Sequence, residues 1–382
     1  MSTQPKYLKL AVDQLEPGML ICRLDIDVQD TPFETRELTF KSMQDFVKQF
    51  PDVRHVYVDL NRTQTPESSF DSSRKLYLNL RQQIDRVMAD VRLGKALQQK
   101  RMRPVLEQLM EAVLHDSKSM AYLAMLRDHQ DELVAKSVNV AVLSLVFAKH
   151  ISLRQDDLIP LGMGALLHCI GLLQVPASIL TKTDPLTAEE KELIRHYPRR
   201  GYEYLQAQEG GFDEQTLDIV LHHQERTNGE GYPDRLKGRQ ISFLARLVAI
   251  TSVYEALTRN RSYRQALSPS RALGQLYRWR FHDFDNRLVE KFIHSLGVYP
   301  PGCLVELTNG SIAVVHATHP DQRLNPEVRL LTSPKLKPLQ DQQMLDLAQE
   351  SKLDIRKALD PKEPKLEDLL KEIMRIHPDF PV

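Results

Sequence analysis

Only three cysteines occur in 382 residues, Cys22, Cys169 and Cys303, and no two of them stand at CxxC spacing. That argues against a disulfide framework and against a structural zinc knuckle, and it fits a reducing compartment. An excess of one charge is also missing: 51 Lys and Arg balance 51 Asp and Glu, for a formal net charge of +0. No bulk attraction to nucleic acid or to an anionic membrane follows, so any phosphate recognition has to be local. The opening residues, MSTQPKYLKL, hold no apolar core of signal-peptide length. The most apolar stretch, residues 159–176, is interrupted by His168 and closed by Pro176, which argues against membrane insertion. The expectation is a cytoplasmic protein of two or three domains, with no internal repeat.

Residues 7–12 and 19–24 read as strands around the turn signal Glu16-Pro17-Gly18, residues 42–50 as a helix, and residues 55–59 as a further strand. This outlines a small α/β N-terminal domain over residues 1–64. The polar segment 63–73 then leads into a helical stretch, about 77–127, that Pro104 must start or break. Residues 65–130 are therefore a helical spacer, read as a hairpin, a signalling element, a stalk for a homodimer, or a lid on the next core. Over residues 131–298 helix follows helix, opened by capping signals such as Thr187-Ala188-Glu189-Glu190 and Ser268-Pro269-Ser270. At residues 299–334 the pattern changes to Leu304-Val305-Glu306-Leu307, Asn309-Gly310 and Ile312-Ala313-Val314-Val315, a hairpin signal, with a third strand near 328–331. Residues 335–382 read as a charged C-terminal tail with one amphipathic helix near 366–376. The expected fold class is mainly α: an all-helical core between the α/β domain and a C-terminal β-hairpin appendage.

Four stretches of the core carry chemistry: His168-Cys169-Ile170-Gly171, His196-Tyr197-Pro198, His222-His223-Gln224 running on to Gly231-Tyr232-Pro233, and Ile250-Thr251-Ser252-Val253-Tyr254-Glu255-Ala256-Leu257. Together they resemble the HD-GYP family of the HD superfamily. The Pro17-Gly18-Met19 turn and the strand at 55–59 resemble a small domain of unknown function often fused ahead of HD-GYP domains. The resemblance implies an HD-type helical core and hydrolysis of cyclic di-GMP to pGpG or GMP. Imidazoles and bridging carboxylates would hold two or three divalent metals that activate a water.

Carried over residue by residue, the resemblance places His168, His196, His222 and His223 at ligand positions. Lys136-Ser137 stands where an upstream His-Ser belongs, Cys169 where the HD aspartate belongs, Leu172 where a catalytic-type lysine belongs, and Ser252 where a metal aspartate belongs. Gln224 replaces a glutamate, and Glu255 is a mild change. The physical consequences point one way. Lys136 has donors only and repels cations. Ser252 lacks an anionic oxygen, and a Cys169 thiolate suits zinc but does not bridge two irons. The expected cofactor is none, or a single divalent metal, zinc or iron, on His168, Cys169, His196, His222 and His223; loss of metal with the histidines kept for packing is the favoured alternative.

Ligand binding looks better preserved. The resemblance assigns Gly231, Tyr232 and Pro233 to the pocket edge and to docking of diguanylate-cyclase-domain proteins, and Arg261 and Arg264 to the nucleotide's phosphates, with Lys136 as an added positive charge. The reading is a degenerate signalling protein that binds cyclic di-GMP or a partner with weak or no hydrolysis. Its rival is an active metal-dependent phosphodiesterase, of cyclic di-GMP or another phosphoester, with a rebuilt site for which zinc is one candidate.

Overall fold

A computed structural model describes residues 7–12, 21–24, 51, 53–59, 66–125, 132–182, 184–209, 211–259, 266–319, 322, 324–350, 352–361 and 363–376. The chain divides into two units, residues 1–75 and 76–382. In the first, β1 (Tyr7–Ala11), β2 (Ile21–Leu24) and β3 (His55–Asp59) form an antiparallel sheet in the order β1-β3-β2. The last strand in sequence is thus the central one, in register from Tyr7↔Asp59 to Ala11↔His55. The expected helix at 42–50 and the Pro17-Gly18 turn lie outside the described residues.

Helix α1 (Pro66–Arg92) starts in the polar segment expected as a linker, with proline at its first position, where the missing N–H costs nothing. Within the second unit its buried residues Tyr77, Leu80, Ile84 and Met88 recur at helical spacing. The helical stretch breaks at Gly94, whose φ is +73°, and not at Pro104. Pro104 lies inside α2 (Gln99–His115), which begins five residues before it. The correction has a local cause: a proline so near the start of a helix removes a single hydrogen bond, whereas left-handed backbone at Gly94 redirects the chain. Helix α3 (Ser117–Met125) follows.

The centre of the second unit is α4 (Glu132–His150) packed along α5 (Gln155–Leu167), with α2, α3, α9 (Glu214–His222), α10 (Phe243–Thr258) and α12 (Asn286–Leu296) around this pair. Val134 through Ala148 are buried almost without interruption, which is why α4 is apolar on every face. Leu133–His150 and Gln155–Gln174 are long and apolar enough to cross a membrane, and burial of 78% and 67% of these segments inside the bundle accounts for that composition. The short α6 (Ala177–Leu180), then α7 (Ala188–Arg195), α8 (Tyr197–Gln206) and α11 (Pro269–Trp279) complete the helical part. The expected start of α7 is a full capping box: Thr187 Oγ1 accepts from Glu190 N at 3.2 Å and Glu190 Oε2 accepts from Thr187 N at 2.8 Å.

The hairpin β4 (Leu304–Leu307) and β5 (Ile312–Ala317) turns at Gly310, φ +88°, as the Asn309-Gly310 signal requires. It belongs to a larger antiparallel sheet with β6 (Glu327–Thr332), β7 (Pro338–Asp346) and β8 (Ile355–Ala358), in the order β7-β6-β5-β4-β8. Both added strands come from the charged segment 335–382. They escape periodicity because they are edge strands with largely exposed side chains, so no apolar alternation marks them. The final helix α13 (Glu367–Ile376) buries Leu370 and Ile373.

Candidate functional site

Two glycines set the site's geometry. His168 ends α5, and the chain turns at once into a 3-10 segment, Ile170–Gln174, laid against α8. A Cβ on Gly171 would stand 2.0 Å from the carbonyl oxygen of Tyr197 and 2.7 Å from the amide of Gly201, so only glycine permits this backbone-on-backbone approach. The approach brings α8, opened by Tyr197, against the end of α9, where His222 and His223 lie.

His168 and His223 are both fully buried, their rings edge-to-face with centroids 5.0 Å apart. Carbonyl oxygens only accept, so their contacts assign the tautomers. His168 Nδ1–H donates to Ala165 O at 2.7 Å, and its Nε2 lone pair has no hydrogen-bond partner among the described residues. His223 Nδ1–H donates to Val220 O at 2.9 Å, and its Nε2 accepts from the Tyr197 hydroxyl at 2.6 Å. The same hydroxyl accepts from the Gln224 side-chain amide at 3.0 Å. Burial, then the charge of Lys136 on α4, holds both imidazoles neutral: His168 is driven well below its ordinary pKa of 6.5 and His223 to about 3. Cys169 is buried with Sγ 2.9 Å from Ser137 Oγ, and burial raises its thiol's pKa against the opposing pull of Lys136, so the sulfur stays protonated.

The remaining motif residues do not converge on this pair. His196 is exposed: its Nδ1 bonds Glu192 O at 2.8 Å, and it lines a shallow surface groove with Glu189, Leu193 and Arg200. The neighbouring Tyr197 takes the inward position, because the helix start at 196–197 turns only one of the two side chains to the core. His222 is held between Asp218 Oδ1 at 2.6 Å and Asp234 Oδ2 at 3.1 Å; burial would lower its pKa, but the two carboxylates prevail and the net direction is up. On α10, Ser252 and Glu255 are buried, and Glu255 is ion-paired to Arg259. Leu172 is half-buried. Among the described residues, the one group of three or more His, Cys, Asp and Glu donors within 4.8 Å of one another is Glu230, His282 and Asp283, away from these histidines. The Asn228 side-chain amide donates to Glu230 Oε2 at 3.0 Å and to Asp283 Oδ1 at 3.2 Å, and His282 Nδ1 donates to Asp283 Oδ1 at 2.8 Å.

The Gly231-Tyr232-Pro233 loop is anchored by a residue that no motif signalled. The Glu225 carboxylate, 1% exposed, accepts from Asp234 N at 2.7 Å and from Leu236 N at 3.2 Å. A Cβ on Gly231 would fall 2.3 Å from Arg226 N, so the loop closes tightly over this anchor. A lone acidic residue in a polar loop reads as surface charge, which is why Glu225 was invisible in the sequence. Replacing Glu225 with glutamine puts an NH2 against a backbone donor. The expected cost is about 2 kcal/mol, with hydrogen-exchange protection lost at Asp234 and Leu236; undiminished protection there would show the anchor to be dispensable. Arg261 and Arg264 lie outside the described residues.

A helical bundle with paired buried histidines at the ends of α5 and α9, and a glycine-tyrosine-proline loop following, defines an HD-type protein. Residues 121–288 match the HD domain, residues 304–367 the KOW domain associated with HD domain, and residues 7–102 the domain of unknown function DUF3391. The chain carries an HD domain, and curated proteins that it resembles are cyclic di-GMP phosphodiesterases. It is 32% identical over 265 residues, 69% of its length, to a cyclic di-GMP phosphodiesterase of Pseudomonas aeruginosa, and spans 64% of that relative. It is 36% identical over 146 residues, 38% of its length, to a cyclic di-GMP phosphodiesterase response regulator of Xanthomonas campestris pv. campestris, and spans 39% of it. Among solved structures, an HDG"Y"P protein of Bdellovibrio bacteriovorus has the same fold, with a TM-score of 0.51 at 15% identity, covering 75% of this chain and 98% of that one.

Proposed function

We propose that this protein is a signalling member of its family that binds cyclic di-GMP through its HD-type pocket and hydrolyses it weakly or not at all. One observation carries the reading: the Nε2 lone pair of His223, through which it would ligate a metal, is taken by the buried Tyr197 hydroxyl at 2.6 Å. The rest of the donor set agrees. The Cys169 thiol is protonated and bonded to Ser137, the Glu255 carboxylate is committed to Arg259, Ser252 supplies no charge, and Lys136 opposes any cation. A two-metal centre does not fit these residues, and no hydrolytic step is derived through one.

In place of metal, the positive charge of Lys136 meets the nucleotide's phosphates, with Arg261 and Arg264 as further contacts and the Gly231-Tyr232-Pro233 loop as the pocket edge and the site for a diguanylate-cyclase-domain partner. The scattered cysteines support a cytoplasmic protein, and the helical spacer over residues 65–130 would supply the contact of a homodimer. The rival reading, an active phosphodiesterase with one zinc or iron, has a specific observation in its favour: among the described residues, no partner bonds the buried His168 Nε2, whose lone pair a metal would satisfy.

Three measurements on protein purified without chelator separate these readings. Elemental analysis is expected to find metal far below one per chain, a cyclic di-GMP turnover assay no product above background, and calorimetry saturable cyclic di-GMP binding that weakens about tenfold in Lys136→Ala, the effect of one charge-assisted contact. Stoichiometric metal with turnover abolished by His168→Ala establishes the rival. Unchanged affinity in Lys136→Ala removes the role given to that lysine.

A further inference from the structure

The four motif changes at Lys136, Cys169, Leu172 and Ser252 are losses. Tyr197, directly before Pro198, goes further, because its side chain fills the pocket. It is 3% exposed, its ring centroid is 5.5 Å from that of His223, and its hydroxyl both donates to His223 Nε2 and accepts from the Gln224 amide. Moving that hydroxyl away means moving the start of α8, which the carbonyl of Tyr197 pins beneath Gly171.

We infer that Tyr197 is a lock that keeps metal off His223, acting in addition to the changes at Lys136, Cys169 and Ser252. The inference rests on the reading of the pocket as metal-free and adds a cause to it. A metal on Nε2 of His223 must displace the O–H of a side chain only 3% exposed, which gives up its acceptor on His223 and shifts away from the Gln224 amide. That penalty weakens metal binding by about tenfold to a hundredfold even where ligands are put back at positions 136, 169 and 252. Neutral His223 makes the lock effective. Its Nε2 is a strong acceptor for the tyrosine, and its Nδ1 proton is held by the backbone carbonyl of Val220, so the ring cannot offer its other nitrogen instead.

The test compares zinc binding in two proteins: Lys136→His, Cys169→Asp, Ser252→Asp, and the same variant with Tyr197→Phe added. Phenylalanine keeps the ring and its packing and deletes only the O–H. The expected result is zinc affinity at least about tenfold higher with Tyr197→Phe. Equal affinity overturns the lock, whereas stoichiometric metal in the unaltered protein overturns the metal-free reading beneath it. Should circular dichroism show that the restored variants do not fold, the single Tyr197→Phe substitution carries the test. In nitrogen-15 spectra of the imidazole, the His223 Nε2 resonance is expected to move toward that of a free lone pair and to respond to added zinc, which it does not do in the unaltered protein. An Nε2 resonance that neither moves nor responds to zinc overturns the inference.

Discussion

Gly171→Ala is expected to destabilise the protein by about 3 kcal/mol or more, among the largest effects available to a single methyl group. The added Cβ meets the Tyr197 carbonyl oxygen at 2.0 Å, the Gly201 amide at 2.7 Å and the Tyr197 carbonyl carbon at 3.0 Å, all of them backbone atoms that no rotamer change can withdraw. Relief requires the 3-10 segment to lift off α8, and α8 carries Tyr197, so the hydrogen bond to His223 is lost in the same movement. Gly274 in α11 is the internal control. Nothing lies within 4 Å of its added Cβ, and Gly274→Ala is expected to stabilise by about 0.5–1 kcal/mol through helix propensity and reduced chain entropy. Urea unfolding of both variants decides the matter: a midpoint for Gly171→Ala equal to that of the unaltered protein would mean that the two backbones do not touch as described.

Acidification has a comparably large expected effect, with its sign set by burial. His223 has a folded-state pKa of about 3 and His168 one well below 6.5, through burial first and the charge of Lys136 second. The unfolded chain takes up protons on both histidines near pH 6.5, and the folded chain refuses them, so stability is full above that pH and falls as pH drops toward the depressed values. His223, with its folded value of about 3, contributes a slope that approaches about 1.4 kcal/mol per pH unit and a loss of about 2 kcal/mol between pH 6.5 and 5, and His168 adds a loss of the same sign. A domain of ordinary stability, about 5–15 kcal/mol, loses a large share of it. His222 does not offset this. Its pKa is raised by Asp218 and Asp234, so its contribution is complete below pH 6.5 and is lost only as pH rises through the raised value. Urea midpoints measured from pH 7.5 to 4.5 test the slope. A flat profile between pH 6.5 and 5 contradicts neutral burial of the pair, and Lys136→Met is expected to narrow the sensitive window by letting both histidines protonate at higher pH.

Much of the helical core was readable because its signals are local. The capping box at Thr187 and Glu190, the Ser268-Pro269 helix start and the Asn309-Gly310 turn each act over four residues or fewer, and each is found where the residues place it. Where reading failed, distant packing had overruled the local signal. Pro104 did not break its helix, and residues 338–346 form a strand that pairs, among the described residues, with β6 alone, a partner that composition does not announce. The site divides in the same way. The register of the histidine motifs pointed to His196, but the turn from α7 into α8 buries Tyr197 and leaves His196 in solvent.

By itself the sequence determined the HD-type helical class and the presence of Cys169 and Ser252, neither of them a carboxylate, because those depend on which side chains exist. Only the tertiary structure decided which lone pairs are free. That His223 is occupied by Tyr197, that His168 is left open, and that His222 is turned onto Asp218 and Asp234 depends on directions and distances between segments that are tens of residues apart. Ligation is a property of an oriented lone pair, and orientation is fixed by packing: here by two glycines that let one backbone rest on another.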